Sequence, residues 1–180
     1  GKLQAKAVSE YFPKQPELIV HSPYIRTLET ATPLIERFPV AKVEEWPIHE
    51  FTYLDIQVNA GTVPAERKES ATNYWNRLDP DYIDGYGAES FSQMLSRLRE
   101  CVADIETLHS SEIVVFCHGQ IMHALSLLSR FPESRDKFLM EKFLTERANG
   151  FAPKNTEVWE TRFTDEGKWL PFRTRFVPEE

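Results

Sequence analysis

The chain has 180 residues, 41% hydrophobic and 27% charged, which suits one domain over 1–180 burying roughly 70% of its unfolded surface and excludes two large ones. Twenty-one Lys and Arg against 28 Asp and Glu leave a net charge of −7, so bulk attraction to nucleic acid or to a membrane surface is not expected, although a local arginine pocket for a small anion stays open. Two cysteines, Cys101 and Cys117, exclude a disulfide scaffold and suit a reducing, cytoplasmic setting, and no apolar run approaches the ~20 residues of a membrane span.

Gly1-Lys2-Leu3-Gln4-Ala5 has no signal-peptide core and opens directly on a helical pattern, with Leu3, Ala7, Val8, Tyr11 and Phe12 in register and Pro13 and Pro16 closing it. Leu18-Ile19-Val20-His21 reads as a short buried strand. Ser22-Pro23 is expected to be an N-cap and first helical position, with Ile25, Leu28, Ile35 and Phe38 as the buried stripe of the helix that follows. Val43 to Ile48 reads as extended, Phe51 to Lys68 has no clear period, and Ala65 to Leu78 suits a short helix before the Asp79-Pro80-Asp81 turn.

After the Asp84–Gly87 loop, Ser90 and Gln93 form a capping box for the best helix in the chain, striped by Phe91, Leu95, Leu98, Val102, Ile105 and Leu108. Ile113–Cys117 is a second apolar strand with His118-Gly119 at its exit. Helices follow at Gln120–Ser129 and Ser134–Ala148, the latter stopped by Asn149-Gly150. Thr156–Phe163 and Lys168–Phe176 alternate around Asp165-Glu166-Gly167, a terminal hairpin. Apolar strands alternating with helices predict an α/β fold of three layers, with a mostly parallel central sheet flanked by helices.

Ligands of such sheets bind outside the carboxyl ends of the strands. Three polar points fall there: Ser22 to Arg26, His49-Glu50, and His118-Gly119. Arg26, in a first helical turn, opposes the helix dipole unless an anion joins it; otherwise it reaches out to solvent, towards Glu29 or Glu50. His118 can act as donor, base or cation near neutral pH, or simply cap its strand, and Gly119 permits close backbone approach or a positive φ. His118 and His123 are five apart, which is not metal-ligand spacing on a helix, and Ser22 lies in no G-x-S-x-G elbow. Cys117 and His118 are strand neighbours that point to opposite faces, so they do not form a dyad.

Together these segments resemble the histidine phosphatase superfamily, the phosphoglycerate mutase-like fold. Gly1-Lys2-Leu3-Gln4-Ala5 looks like its G-x-x-Q-A helix start, and Ser22-Pro23-Tyr24-Ile25-Arg26-Thr27-Leu28-Glu29-Thr30-Ala31 like its S-P-x-x-R-x-x-E-T-A block. Gly87-Ala88-Glu89-Ser90 resembles G-x-E-S, Phe116-Cys117-His118-Gly119 the second-histidine motif, and Asn155-Thr156 the polar pair opening the last hairpin. The resemblance implies phosphoryl transfer through a phosphohistidine, needing no metal or organic cofactor. It makes Arg26 a phosphate-binding arginine, Glu50 the proton donor and His118 the stabiliser of the transferring oxygens, with Ser22 and Gly119 beside the bound group. The implied partner is a small phosphorylated substrate or inorganic phosphate. Substrate choice in this fold depends on the segment between Glu50 and Ser90, which here carries Arg67, Lys68, Tyr74, Trp75 and Arg77; these could equally be a solvated helix face.

The family's nucleophile lies in an R-H-G motif on a first strand, and no R-H-G occurs here. His21 belongs to the next strand, His49 precedes the acid, His109 ends a polar helix and His123 lies within one. The expectation is therefore a domain lacking its first strand, either shortened at its amino end or descended from a member that discarded catalysis. Retention of Arg26, Glu50 and His118 favours shortening. Either way the 180 residues alone are expected to be inactive. The competing reading is a non-catalytic phospho-ligand or protein-binding module on the same fold. An exposed sheet edge would also invite oligomers.

Overall fold

A computed structural model describes residues 1–108 and 112–177. Leu18–His21 (β1), Lys42–Glu45 (β2) and Ile113–Phe116 (β3) form a parallel sheet in the order β2-β1-β3, with Val20 level with Glu44 and Val115. Among the described residues no strand pairs with the outer edge of β3. Alternation along the strands divides the core in two. Ile19, Val114 and Phe116 pack with Val8 and Phe12 of α1 (Lys2–Tyr11 and the residue after it) and with Ala31 and Leu34 of α2 (Ile25–Arg37). Leu18 and Val20 face the other way.

On that second face lie α5 (Phe91–Thr107), α6 (Gly119–Arg130) and α7 (Asp136–Ala148), bringing the fully buried Leu95, Leu98, Ile121, Leu127, Leu139 and Phe143. The sheet is thus covered on both sides, as the apolar runs require. Between β2 and α5 come two shorter helices, α3 (Ile56–Asn59) and α4 (Lys68–Asn76), and the chain closes with the antiparallel pair β4 (Val158–Glu160) and β5 (Arg173–Phe176).

Several boundaries move from their sequence positions. α2 begins at Ile25, not Pro23, because the Ser22 hydroxyl accepts the Tyr24 N–H (3.2 Å) in a turn that precedes the helix. Its buried residues are Thr27, Ala31 and Leu34, while Ile25 is 67% exposed; a face of small residues lets α2 pack closely on α1. α3 had no apolar period to reveal it, and is capped by Asp55, whose carboxylate accepts the Gln57 and Val58 amides. The Ser90–Gln93 capping box forms as expected, with Met94 and Cys101 joining the buried stripe in place of Val102, Ile105 and Leu108. Asn149-Gly150 ends α7 with Gly150 at φ +89°. The hairpin is shorter than predicted, with a register shift between Val158 and Trp159 and an isolated pairing of Phe163 with Trp169 across the turn.

Candidate active site

The carboxyl ends of β1 and β3 lie side by side, so the residues that leave them meet. Ser22 follows β1 and is fully buried; His118 follows β3, is 6% exposed, and is the N-cap residue of α6. Arg26 Nη2 lies 3.0 Å from His118 Nδ1. A guanidinium can only donate, so Nδ1 accepts and the imidazole hydrogen sits on Nε2. From there it is donated to Ser22 Oγ at 2.8 Å. Ser22 in turn donates to Thr27 Oγ1 (2.8 Å), which donates to the Tyr24 carbonyl (2.7 Å). Burial, and then the positive charge of Arg26, hold the His118 pKa down at about 4. The ring is therefore neutral at pH 7. Tyr24 packs edge-on against it, 5.2 Å between centroids, and carries the Arg26 guanidinium over its own face at 4.5 Å.

Glu50 comes from a loop five residues beyond β2, not from a strand end. Burial raises its pKa against the opposing pull of the Phe51 and Gln120 amides and of the Arg26 and Arg147 charges. The Phe51 N–H donates to its Oε1 at 3.0 Å. What holds this loop is Arg97 of α5, which donates to the Pro47 carbonyl (2.8 Å) and the His49 carbonyl (2.9 Å). Its remaining donors grip Glu89 at 2.9 and 2.7 Å, and the Glu89 amide donates to the Thr52 carbonyl at 2.9 Å. Sequence reading missed Arg97. Its signal, an arginine two turns along a helix from the acid of the G-x-E-S segment, has meaning only once the loop is folded back.

Arg26 and Glu50 share a cavity of about 630 Å³ with Tyr24, Phe51, Tyr53 and Gln120. The three polar points expected at the sheet edge therefore do converge. Gly119 departs from expectation: it lies in the first turn of α6, outside the left-handed region, and an added Cβ would meet only the Pro153 carbonyl at 4.0 Å. The alternative for Arg26 is met in part: the residue is exposed to solvent, but it pairs with neither Glu29 nor Glu50, and its partners are His118 and the Tyr24 ring.

The other candidates are occupied elsewhere. His123 is buried between Phe143 and Phe151 and bonds Glu146 at 2.9 Å. His21 donates to the Ser22 carbonyl at 2.9 Å, and His49 lies 3.9 Å from Glu89. His109 lies outside the described residues. Burial pushes the Cys117 thiol up to about 12, so it is not a nucleophile near neutral pH. Gln4 and Asn155 bond one another at 2.8 Å, bringing the start of α1 to the segment that flanks Gly119.

A buried imidazole and a guanidinium at one strand edge, with a raised carboxylic acid across a cavity, define a protein equipped to hold an oxyanion and deliver a proton. The description of the histidine phosphatase superfamily, branch 1, matches residues 1–142, and the chain belongs to that family. No curated protein sequence matches it. Among solved structures, mycobacterial glucosyl-3-phosphoglycerate phosphatase is similar at 23% identity and a TM-score of 0.66, over 97% of this chain and 84% of that one. The alpha-ribazole phosphatase of Shigella flexneri is similar at 16% identity and a TM-score of 0.66, over 97% and 80%. At these identities the likeness establishes the fold, a parallel sheet between helical layers.

Proposed function

We propose that this chain supplies the oxyanion-holding and proton-donating parts of a phosphomonoesterase that works through a phosphohistidine, on a small phosphorylated substrate and without a cofactor. Arg26 draws the phosphoryl oxygens, with Ser22 and the Gly119 amide beside them, and His118 stabilises the charge that develops on them by fixing the Arg26 guanidinium at 3.0 Å. Glu50, whose proton affinity burial raises, gives its proton to the leaving alkoxide as the P–O ester bond breaks and the P–N bond forms. Water then cleaves the P–N bond, releasing phosphate and returning a proton to Glu50. A histidine in an Arg-His-Gly segment joined to the amino end of α1 is the nucleophile in this scheme; no such segment occurs in the 180 residues.

The observation that carries this reading is that Arg26, hydrogen-bonded to His118 at 3.0 Å, lines one cavity with Glu50. Two further features support it. The Gln4–Asn155 bond and the nearness of Pro153 to Gly119 bring the start of α1 to the rim of the site. The mycobacterial glucosyl-3-phosphoglycerate phosphatase, of the same fold, has been seen with inorganic phosphate and with VO3.

The test is phosphate titration of the 180-residue chain by calorimetry. Inorganic phosphate should bind, and Arg26→Ala should weaken it at least about tenfold, the loss of a charge-assisted hydrogen bond. 4-Nitrophenyl phosphate should not be turned over; steady hydrolysis abolished by His118→Ala would overturn the scheme. A chain carrying Arg-His-Gly ahead of α1 should trap an acid-labile phosphoenzyme. Phosphate binding without any such intermediate would favour the second reading, a non-catalytic phosphate-binding module, which the missing nucleophile motif already allows.

A further inference from the structure

Arg26 is exposed, and a long exposed arginine ordinarily samples many rotamers. Among the described residues two groups hold its guanidinium. His118 Nδ1 accepts a hydrogen of Nη2 at 3.0 Å, and the Tyr24 ring carries Cζ over its face at 4.5 Å from the centroid. A single hydrogen bond fixes one point and leaves the group free to swing about it. The second contact, on the ring, removes much of that freedom.

Tyr24 is itself held from several sides. It is the half-buried N-cap residue of α2; its amide donates to Ser22 Oγ at 3.2 Å and its carbonyl accepts the Thr27 hydroxyl at 2.7 Å. Its ring meets His118 edge-on at 5.2 Å and the His49 ring at 6.1 Å, and its hydroxyl lies 3.5 Å from Thr52 Oγ1. His49 and Thr52 flank Glu50. The ring is thus wedged between the histidine that follows β3 and the loop that carries the acid, and it lines the cavity with Arg26 and Glu50.

Both partners of Arg26 are uncharged near neutral pH, the imidazole because burial and Arg26 itself hold it so. A carboxylate in their place would hold the arginine more firmly, but it would cancel the charge that an oxyanion needs. A π face attracts a cation through its quadrupole and so orients it without neutralising it. Orientation before binding spares the ligand the cost of ordering a long side chain.

We propose that Tyr24 is a positioning residue for phosphate binding: the face of its ring sets the Arg26 guanidinium beside His118 and leaves its charge and its remaining hydrogens for the phosphoryl oxygens. The inference rests on the phosphoryl-holding role given to Arg26 above, and adds what orients that residue.

The test is calorimetric titration of inorganic phosphate into the 180-residue chain, as wild type, as Tyr24→Phe, as Tyr24→Leu, and with pentafluorophenylalanine at position 24. The fluorinated ring is close to Phe in shape, but the charge of its face is withdrawn. Tyr24→Phe should bind within about twofold of wild type, while Tyr24→Leu and the fluorinated chain should each bind about threefold or more weakly. Nitrogen NMR of the His118 ring gives a second readout without ligand. Nδ1 should keep the signature of an accepted hydrogen bond in Tyr24→Phe and lose it in the fluorinated chain. A fluorinated chain that matches Tyr24→Phe in either readout shows that the ring only fills space. Tyr24→Phe as weak as Tyr24→Leu assigns the effect to the hydroxyl. Either result overturns the proposal while leaving the phosphate site intact. If wild type binds no inorganic phosphate, the phosphoryl-site reading fails and this inference falls with it.

Discussion

At the carboxyl end of the sheet Arg26, His118, Ser22 and Thr27 satisfy one another through hydrogen bonds of 3.0, 2.8 and 2.8 Å. Arg67, elsewhere in the wall of the cavity that Arg26 lines, has a buried donor and no acceptor among the described residues. The first arrangement is organised before any ligand arrives, so little need be rearranged when charge develops on a transferring group. The second is left without a partner among the described residues. Chemistry common to many substrates suits the first arrangement; the second costs stability, because a buried donor goes unmet.

The largest effect expected from this contrast comes from the clamp behind the organised end. Arg97→Ala removes both grips on Glu89 and both bonds to the Pro47 and His49 carbonyls, at a pair whose side chains are only 13% and 16% exposed. Stranding Glu89 should cost about 3–5 kcal/mol in urea denaturation; a cost below about 1 kcal/mol would mean the loop carrying Glu50 is held by something else.

A smaller effect should appear on acidification. The folded pKa of His118 is about 4, below the ordinary histidine value of 6.5, so between those values the unfolded chain binds more protons. Stability therefore rises with pH across that window, and lowering the pH from 7 to 5 should remove about 2 kcal/mol through His118 alone. His49 and His123, also lowered chiefly by burial, act in the same direction, and the raised Glu50 opposes them. Thermal melts should show Tm falling by several degrees. An unchanged Tm in wild type, or an equal fall in His118→Gln, would separate acid sensitivity from this residue.

The smallest effect belongs to Arg67. Arg67→Gln should leave stability unchanged or raise it by about 1 kcal/mol, since no partner is stranded and a buried donor without an acceptor is removed. A loss above about 1 kcal/mol would show that Arg67 is a structural residue and remove the contrast between the two arginines.

The strands were legible because parallel strands buried on both faces are apolar throughout, as Leu18–Val20 and Ile113–Phe116 are. Ser90 with Gln93 and Asn149-Gly150 carry capping chemistry within a few residues, so those helix ends could be read locally. Arg26, His118 and Glu50 were singled out because strand ends are where such folds bind ligands and because the motif order matched a family. The buried face of α2 was legible in part: Ile35 and Phe38 pack against the core as expected, Ile25 is exposed, and the fully buried line runs through Thr27, Ala31 and Leu34. Arg97 was invisible for another reason: its partners Pro47 and His49 are about fifty positions away and contribute only backbone carbonyls, which leave no trace in side-chain identity.

The direction of the hydrogen bonds around Ser22 has a consequence that distances alone would hide. Ser22 Oγ lies 2.8 Å from His118 Nε2, the separation of a serine nucleophile and its base. Yet the series begins at a guanidinium that cannot accept and ends at the Tyr24 carbonyl, which cannot donate, so it conducts hydrogen in one sense only. Reversing the link between histidine and serine would set the Arg26 hydrogen against a second hydrogen on Nδ1. His118 therefore has no vacant lone pair to offer Ser22. The contact that most resembles an acyl-transfer dyad is closed to that chemistry by one arginine, the second residue of α2, whose hydrogen occupies the lone pair of His118 Nδ1.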